Sequence, residues 1–144
     1  MSEQYKIAII GSGPAGLSAA GHAAKLGISH ILFEKTDHLS DTIYKYQKGK
    51  LVMATPDILP LRSDCSFELG LREEVLGAWD RENEELKVNT RFNADVTAIS
   101  GEKGNFEITV GGETITVEYV ILAIGLQGNL RQIGCPGSDG APHV

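Results

Sequence analysis

The stretch GSGPAG, residues 11–16, lies between the apolar run IAII at residues 7–10 and the small-residue segment LSAAGHAAKL at residues 17–26. A short continuous apolar run indicates a strand that is buried on both faces of a sheet. Pro14 suits the first turn of a helix, because the N–H group that proline lacks would have no partner there. The three glycines therefore mark the turn from a buried strand into a helix.

The residues after the glycines complete a β–α–β unit. Residues 16–24 place glycine and alanine at helical spacing, which leaves one face with little side chain and lets the helix lie close to a sheet. Gly27 is suited to the C-terminal end of that helix. A second apolar strand, residues 31–33, then ends at Glu34. Parallel strands joined in this way form right-handed crossovers in almost all proteins.

The spacing of the glycines is typical of dinucleotide-binding turns. Gly11 permits the tight turn, Gly13 lets a diphosphate approach the backbone, and Gly16 lets the helix pack on the strand. The helix N-terminus offers unpaired N–H groups and a positive dipole end to the phosphates. Glu34 follows Gly16 by 18 residues, close to the spacing of a carboxylate that accepts ribose hydroxyls. An ordinary strand-to-helix turn without a ligand stays open as the alternative.

Glu34 also narrows the class of nucleotide. A carboxylate can accept both hydroxyls of an adenosine ribose and repels a 2′-phosphate, so the site favours FAD or NAD over NADP. Lys35 could offset part of this charge near the cofactor. Alternation along a strand turns its side chain to the opposite face, however, which favours a solvated surface lysine.

The middle of the chain predicts one further helix. Residues 36–66 show no clean period and are predicted to be mostly loop. Leu71, Val75 and Trp79 then recur on one face of a helix predicted over residues 68–81.

A β-rich region follows this helix. Residues 92–100, FNADVTAIS, are predicted to form one strand. The glycines at 111–112 join FEITV to ETITV as a two-residue hairpin, whose register places Ile108 opposite Ile115. YVILAIG, residues 119–125, predicts another strand buried on both faces.

Composition and charge exclude several classes of function. The chain of 144 residues has a formal net charge of −6, which disfavours binding to nucleic acids and membrane surfaces. No apolar run approaches the ~20 residues of a membrane span, and the N-terminus shows no signal segment. Cys65, Cys135 and the scattered histidines predict neither a disulfide framework nor a metal site. We therefore expect a cytoplasmic protein with reduced thiols.

Several segments together resemble a known family. IAIIGSGPAGLSAA, ILFEK, the β-meander and YVILAIGLQGNLRQIGCPG resemble the FAD domain of the flavoprotein oxidoreductases that carry two dinucleotide-binding folds. TIYKYQKGKLVMATPDILP looks most like the thioredoxin reductase-like branch typified by bacillithiol-disulfide reductases. The resemblance covers nearly the whole chain. It implies an α/β, Rossmann-like FAD/NAD(P)-binding domain with a parallel central sheet, helices and a three-stranded β-meander.

The resemblance also implies which residues bind FAD. Glu34 would hold the adenosine ribose, the backbone of Val96 would contact adenine, and Thr42 would lie beside the ribityl chain. Gly125, in the closing A-x-G motif, would let the backbone approach the flavin side of the cofactor. No catalytic acid, base or nucleophile is identified. The candidate cofactor-binding residues are Gly11, Ser12, Gly13, Pro14, Ala15, Gly16, Glu34, Lys35, Thr42, Val96, Ala123 and Gly125.

The sequence departs from the family in two ways. The cysteine pair that glutathione reductase-like enzymes carry after the second strand is missing from KTDHLSDTIYKYQ, and no CxxC is present. The family's NAD(P) domain and the returning segment of its FAD domain are also absent. Residues 1–144 are therefore expected to be the N-terminal portion of an FAD-binding domain in a longer flavoprotein.

The function expected from the resemblance is that of a thioredoxin reductase-like oxidoreductase. The full-length protein would pass electrons from NAD(P)H through FAD to a small-molecule or protein disulfide, or to another acceptor. Homodimer formation is left open. A non-enzymatic FAD- or NAD-binding regulatory or interaction module is the main alternative. An NAD-only dehydrogenase domain is a further one, which the long meander disfavours.

Overall fold

The computed structural model describes residues 4–53 and 62–126. Its elements, in chain order, are β1 (Gln4–Ile10), α1 (Pro14–Lys25), β2 (His30–Phe33), α2 (Asp41–Tyr44), β3 (Leu51–Val52), β4 (Gly70–Leu71), α3 (Arg72–Glu85), β5 (Thr90–Arg91), β6 (Val96–Glu102), β7 (Asn105–Val110) and β8 (Glu113–Leu122). Six strands form one sheet in the order β5-β2-β1-β8-β7-β6, and β3 pairs with β4 separately. The described part of residues 36–66 is mostly loop, as predicted, apart from α2 and β3. Within the described ranges, no helix is long and apolar enough to cross a membrane.

The β–α–β unit predicted around the glycines is confirmed. β1 and β2 pair in parallel, with Ile10 opposite Phe33. α1 covers one face of these strands, where Leu17 and Ala20 join Ile9 in a buried cluster. The small side chains of α1 allow this close packing, as the glycine and alanine spacing predicts.

The opposite face of the parallel strands is covered by the meander rather than by a helix. β8 pairs in parallel with β1 and antiparallel with β7, and β7 pairs antiparallel with β6. The hairpin register is confirmed, with Ile108 opposite Ile115. One buried cluster joins β1 and β2 to the meander: Ala8, Ile10, Ile31, Phe33, Ala94, Ile108, Val110, Ile115 and Val117.

The last strand of the sheet differs in its bounds and its burial from the strand predicted over residues 119–125. β8 is one continuous strand that includes both ETITV and YVIL, and it ends at Leu122. The prediction that residues 119–125 form a strand buried on both faces is wrong, because Tyr119 and Ile121 are exposed. Ile121 lies opposite Ile9, on the face that α1 covers over β1. In the described part of the chain, α1 does not extend its cover across β8.

The helix predicted over residues 68–81 begins and ends later. Leu71 lies in β4 and is exposed, so its assignment to the buried face is wrong, whereas Val75 and Trp79 are buried as predicted. The Glu74 side chain accepts the Leu71 N–H at 2.9 Å. This contact satisfies a backbone donor just before the helix and fixes where α3 starts.

β6 also begins later than the sequence predicts, at Val96. The preceding N–H groups of Asn93 and Ala94 donate to the carbonyls of Thr36 and Glu34, each at 2.9 Å. This segment is therefore tied to the end of β2, a link between distant parts of the chain that alternation along one strand does not reveal.

The two isoleucines that face each other across the meander should contribute unequally to stability. Ile108 is fully buried, whereas its partner Ile99 is 37% exposed. Ile108→Ala should lower the free energy of unfolding by about 2–5 kcal/mol, because it removes buried methylenes and leaves a cavity. Ile99→Ala, the matched control, should cost less than about half as much, since less apolar area is lost. Urea denaturation followed by Trp79 fluorescence measures both; equal losses would contradict the described core.

Candidate functional site

The N-terminal end of α1 is the first part of the site. No side chain caps this end, and no acidic residue lies in the first turn. Pro14 and Ala15 are exposed there. The first N–H groups and the positive end of the helix dipole are therefore uncompensated by side chains, which favours an anion such as a diphosphate.

Gly11 and Gly16 are required by the fold itself. A Cβ added to Gly16 would lie 1.8 Å from the carbonyl oxygen of Gly11. Gly11 has a φ of +100°, and a Cβ there would lie 2.6 Å from the carbonyl oxygen of Ala123. These contacts confirm the tight turn and the close helix packing that the sequence predicts for the two glycines.

Gly13 is not required by the fold. Its φ of −68° is one that any residue adopts, and in the ranges that the structure describes no atom of a non-neighbouring residue lies within 4 Å of the position of a Cβ there. The described packing does not need a glycine at this position, which is the uncapped end of α1. The missing side chain leaves the backbone accessible there. Its position fits a ligand whose phosphates approach the N–H groups of α1.

The Glu34 carboxylate lies beside the glycine turn and is only 6% exposed. Its Oε2 accepts the Ser12 N–H at 3.0 Å and the Ser12 hydroxyl. Its Oε1 accepts the Thr36 N–H at 2.9 Å and the Thr36 hydroxyl at 3.0 Å. Two N–H groups, the Ser12 hydroxyl and the Thr36 hydroxyl, which also lies 2.8 Å from the His38 carbonyl oxygen, therefore compensate the burial of this charge and fix the orientation of the side chain.

Thr36 and Ser40 are site residues that sequence reasoning missed. Ser40 has a φ of 53°, and its hydroxyl donates to the Ser12 carbonyl at 2.9 Å. Its N–H donates to the Ser12 hydroxyl oxygen at 3.1 Å. A threonine two residues after a carboxylate is a common local donor, so the signal for Thr36 was present. Ser40 gave no such signal, because its partner lies 28 residues away.

The second glycine motif lies next to the first. The Ala123 N–H donates to the Ile10 carbonyl at 2.8 Å, which places the end of β8 beside the turn after β1. Gly125 is exposed and has a φ of +68°, and among the described residues no atom of a non-neighbour lies within 4 Å of the position of a Cβ there. Within this part of the chain its backbone is thus accessible.

Val96, Thr42 and Lys35, the other predicted site residues, make fewer hydrogen bonds with the glycine turn than Glu34 makes. Val96 is partly buried and follows the segment that bonds to the Glu34 carbonyl. Thr42 is exposed on α2, and Lys35 is exposed with its Nζ 3.8 Å from Asp95 Oδ2. Among the described residues, neither Thr42 nor Lys35 makes a hydrogen bond or ion pair with the glycine turn.

Cys65 is buried and packs beside α1. Its thiol lies 3.5 Å from the Leu17 carbonyl oxygen. Burial raises the pKa of the thiol, and the nearby carboxylates of Glu82 and Asp64 raise it further. Cys135 lies outside the described residues. In the ranges that the structure describes, no group of three or more His, Cys, Asp and Glu side chains could hold a metal ion.

The whole arrangement corresponds to a known family. Residues 5–144 match the family described as pyridine nucleotide-disulphide oxidoreductase. The chain belongs to the pyridine nucleotide-disulphide oxidoreductases. This membership confirms the resemblance found in the sequence.

Individual members of the family are similar over nearly all of this chain. Bacilliredoxin reductase Bdr of Bacillus subtilis (strain 168) is 33% identical over 141 residues, which cover 94% of this chain and 43% of that protein. The thioredoxin reductase of Mycolicibacterium smegmatis is 32% identical over 142 residues, which cover 94% of this chain and 39% of that protein. The structure of bacillithiol disulfide reductase Bdr from Bacillus cereus shares the fold, with a TM-score of 0.77 at 20% identity, covering 95% and 44%. The chain thus spans about two fifths of the length of these relatives.

In this pyridine nucleotide-disulphide oxidoreductase, Glu34→Gln should be strongly destabilising. The amide NH₂ would face the N–H group of Ser12 or of Thr36, so at least one hydrogen bond to a charged acceptor is lost, a buried N–H is left unpaired, and the remaining donors lose their charged acceptor. The expected loss in the free energy of unfolding is about 2–5 kcal/mol. Glu102→Gln, the same change at an exposed carboxylate, should have an effect below about 0.5 kcal/mol. Chemical denaturation of both variants tests the network around Glu34, and a neutral Glu34→Gln would contradict it.

The Cys65 thiol should be unreactive in the folded protein. Its burial and raised pKa leave little accessible thiolate near neutral pH. In a Cys135→Ser background, reaction with Ellman's reagent at pH 8 should be at least about tenfold slower than after unfolding in urea. Equal rates in the folded and unfolded protein would show that the thiol is exposed and available for redox work.

Proposed function

We propose that this chain is the FAD-binding portion of a thioredoxin reductase-like flavoprotein. The full-length protein would pass electrons from NAD(P)H through FAD to a disulfide or another acceptor. The observation that carries the proposal is Gly13, which keeps the N-terminus of α1 open although the described fold does not require a glycine there. Family membership supports the same conclusion.

The described residues fit FAD along one edge of the sheet. The diphosphate would lie at the N-terminus of α1, beside Gly13, and the adenosine ribose would contact Glu34. The backbone of Val96 would contact adenine, and Gly125 would let the chain approach the flavin. Bound FAD would supply the redox chemistry, accepting a hydride from the nicotinamide and passing electrons to the acceptor. The protein residues hold and orient the cofactor.

The acceptor is proposed to be a small-molecule or protein disulfide. The names of the similar proteins, bacilliredoxin reductase and thioredoxin reductase, support this class of acceptor. Within the described ranges, Cys65 is the one cysteine, and its burial makes it unsuitable as an electron relay. Any relay thiols would therefore come from outside these ranges. Otherwise the acceptor would meet the cofactor directly.

We propose that residues 1–144 are the N-terminal portion of the FAD-binding domain rather than all of it. Support comes from β8, whose second half pairs only with β1 among the described strands. Tyr119 and Ile121 are exposed there on the face that α1 covers over β1. Within residues 4–53 and 62–126, the second half of β8 has one free edge and one uncovered face, which fits a sheet that further chain would complete.

The cytoplasm is the proposed location, because the reaction draws on NAD(P)H and the sequence predicts reduced thiols. The net charge of −6 supports the absence of nucleic-acid and membrane-surface partners. A homodimer stays a prediction, which light scattering of the purified protein would check.

Gly13→Ala tests the proposed site without disturbing the fold. Within the described ranges the added methyl meets no atom of a non-neighbouring residue and the φ is allowed, and because alanine caps a helix less well than glycine, the free energy of unfolding should fall by no more than about 1 kcal/mol. FAD affinity should fall by at least about tenfold, because the methyl fills the space through which the diphosphate reaches the backbone. Gly77→Ala in α3 is the matched control, since a Cβ there makes only an ordinary contact. Its FAD affinity should equal that of the wild type.

The measurement uses protein expressed from the full open reading frame, with FAD titrated and the flavin absorbance recorded. Wild-type protein that takes up no flavin, or a Gly13→Ala variant that binds FAD as tightly as the wild type, would contradict the proposed site. Bleaching of bound flavin by NAD(P)H supports the oxidoreductase. Bound flavin that NADH and NADPH both fail to reduce would instead support the non-enzymatic module.

A further inference from the structure

The Glu34 carboxylate is fully occupied by protein donors. Ser12 supplies an N–H and a hydroxyl to Oε2, and Thr36 supplies an N–H and a hydroxyl to Oε1. A carboxylate has about four lone-pair positions, so no position is left for a further donor while the Thr36 hydroxyl donates to Oε1. A ribose hydroxyl can therefore bond to Glu34 only by replacing one of these protein donors.

The Ser12 and Thr36 hydroxyls differ in whether each has a second acceptor within reach when it stops donating to Glu34. The Ser12 hydroxyl donates to Glu34 Oε2, and its oxygen already accepts the Ser40 N–H at 3.1 Å. The Thr36 hydroxyl lies 3.0 Å from Glu34 Oε1 and 2.8 Å from the carbonyl oxygen of His38. Because a hydroxyl carries one proton, Thr36 can donate to only one of these acceptors at a time. Thr36 can therefore leave Glu34 and still keep a hydrogen bond.

We propose that Thr36 is a positioning residue that exchanges with one hydroxyl of the adenosine ribose. When the nucleotide binds, the Thr36 hydroxyl donates to the His38 carbonyl, and one ribose hydroxyl takes its place on Glu34 Oε1. Oε2 stays with Ser12. The inference rests on the proposed function and adds to it which carboxylate oxygen recognises the ribose.

This exchange changes the expectation drawn from the sequence, in which Glu34 accepts both ribose hydroxyls. With Oε2 committed to Ser12, one hydroxyl bonds to Glu34 and the other does not. The exchange also conserves hydrogen bonds within the protein, because the His38 carbonyl gains the donor that Glu34 gives up. Thr36 thus completes the buried carboxylate without a ligand and yields its place when the ribose arrives.

Thr36→Val and Thr36→Ser separate this role from a structural one. Valine keeps the shape of threonine and removes the hydroxyl, whereas serine keeps the hydroxyl. The probes are ADP, 2′-deoxy-ADP and 3′-deoxy-ADP, measured by calorimetry on wild-type and variant protein freed of cofactor. A general loss of packing would change the affinity for all three probes by the same factor.

For the wild type, loss of one ribose hydroxyl should weaken binding by about tenfold, and loss of the other by less than about twofold. Thr36→Val should bind ADP about two- to fivefold more tightly, because no competing hydroxyl remains. It should leave the affinity for the weaker deoxy probe unchanged. Thr36→Ser should behave as the wild type with all three probes.

Two results would overturn the exchange while leaving the proposed function in place. One is a Thr36→Val variant whose affinity for all three probes falls together. The other is a wild type that loses affinity equally with both deoxy probes, which would show that Glu34 recognises both hydroxyls. Failure of the wild-type protein to bind either FAD or ADP would overturn the proposed function itself.

Discussion

The close approach of α1 to the ends of β1 and β8 is the constraint on which the site depends. The position of a Cβ on Gly16 is 1.8 Å from the Gly11 carbonyl oxygen and 3.4 Å from the Ala123 side chain. Any larger residue at Gly16 would push the helix away from the sheet. Because the N–H groups at the helix N-terminus move with the helix, the proposed anion site depends on this contact.

The buried Glu34 extends this constraint to the other side of the turn. An unpaired carboxylate at this depth would be costly, so Ser12 and Thr36 are held in the positions that satisfy it. Ser40 bonds to Ser12 as well, although its φ of 53° is unfavourable for a serine. The turn and the segment after β2 are thus held together by hydrogen bonds within the protein. A ligand therefore loses little affinity to ordering the protein.

The parts of the fold that the sequence predicts correctly are those whose signals are local. The strand, glycine turn and helix at residues 7–24 each follow from neighbours along the chain, and so does the hairpin at residues 111–112. The starts of α3 and β6 were predicted too early. The start of β6 depends on the bond between the Ala94 N–H and the Glu34 carbonyl, which joins residues 60 positions apart. Periodicity carries no information about such a contact.

In the candidate site, too, residues marked by local sequence signals could be identified, whereas contacts between distant residues could not. The sequence identified Gly13 and Glu34 from their spacing; Gly13 lies in the turn between β1 and α1, and the Glu34 carboxylate accepts the Ser12 N–H of that turn. Their surroundings could not be predicted, because the open space at Gly13 and the hydrogen-bond partners of Glu34 depend on residues that are distant along the chain. Thr42 was included through resemblance alone, and among the described residues it has no hydrogen bond to the turn.

The fixed orientation of Glu34 bears on which nucleotide the proposed site accepts. A free carboxylate could rotate away from a 2′-phosphate, but this one is bonded on both oxygens and is 6% exposed. Two like charges about 4 Å apart repel by about 4 kcal/mol at an effective dielectric constant of about 20. Rotation of the carboxylate would relieve that repulsion but would break the bonds to Ser12 and Thr36. Binding a 2′-phosphate would therefore cost free energy whether the carboxylate stays in place or rotates. At the proposed site, discrimination against a 2′-phosphate would thus follow from how rigidly the protein holds the carboxylate, as well as from its charge.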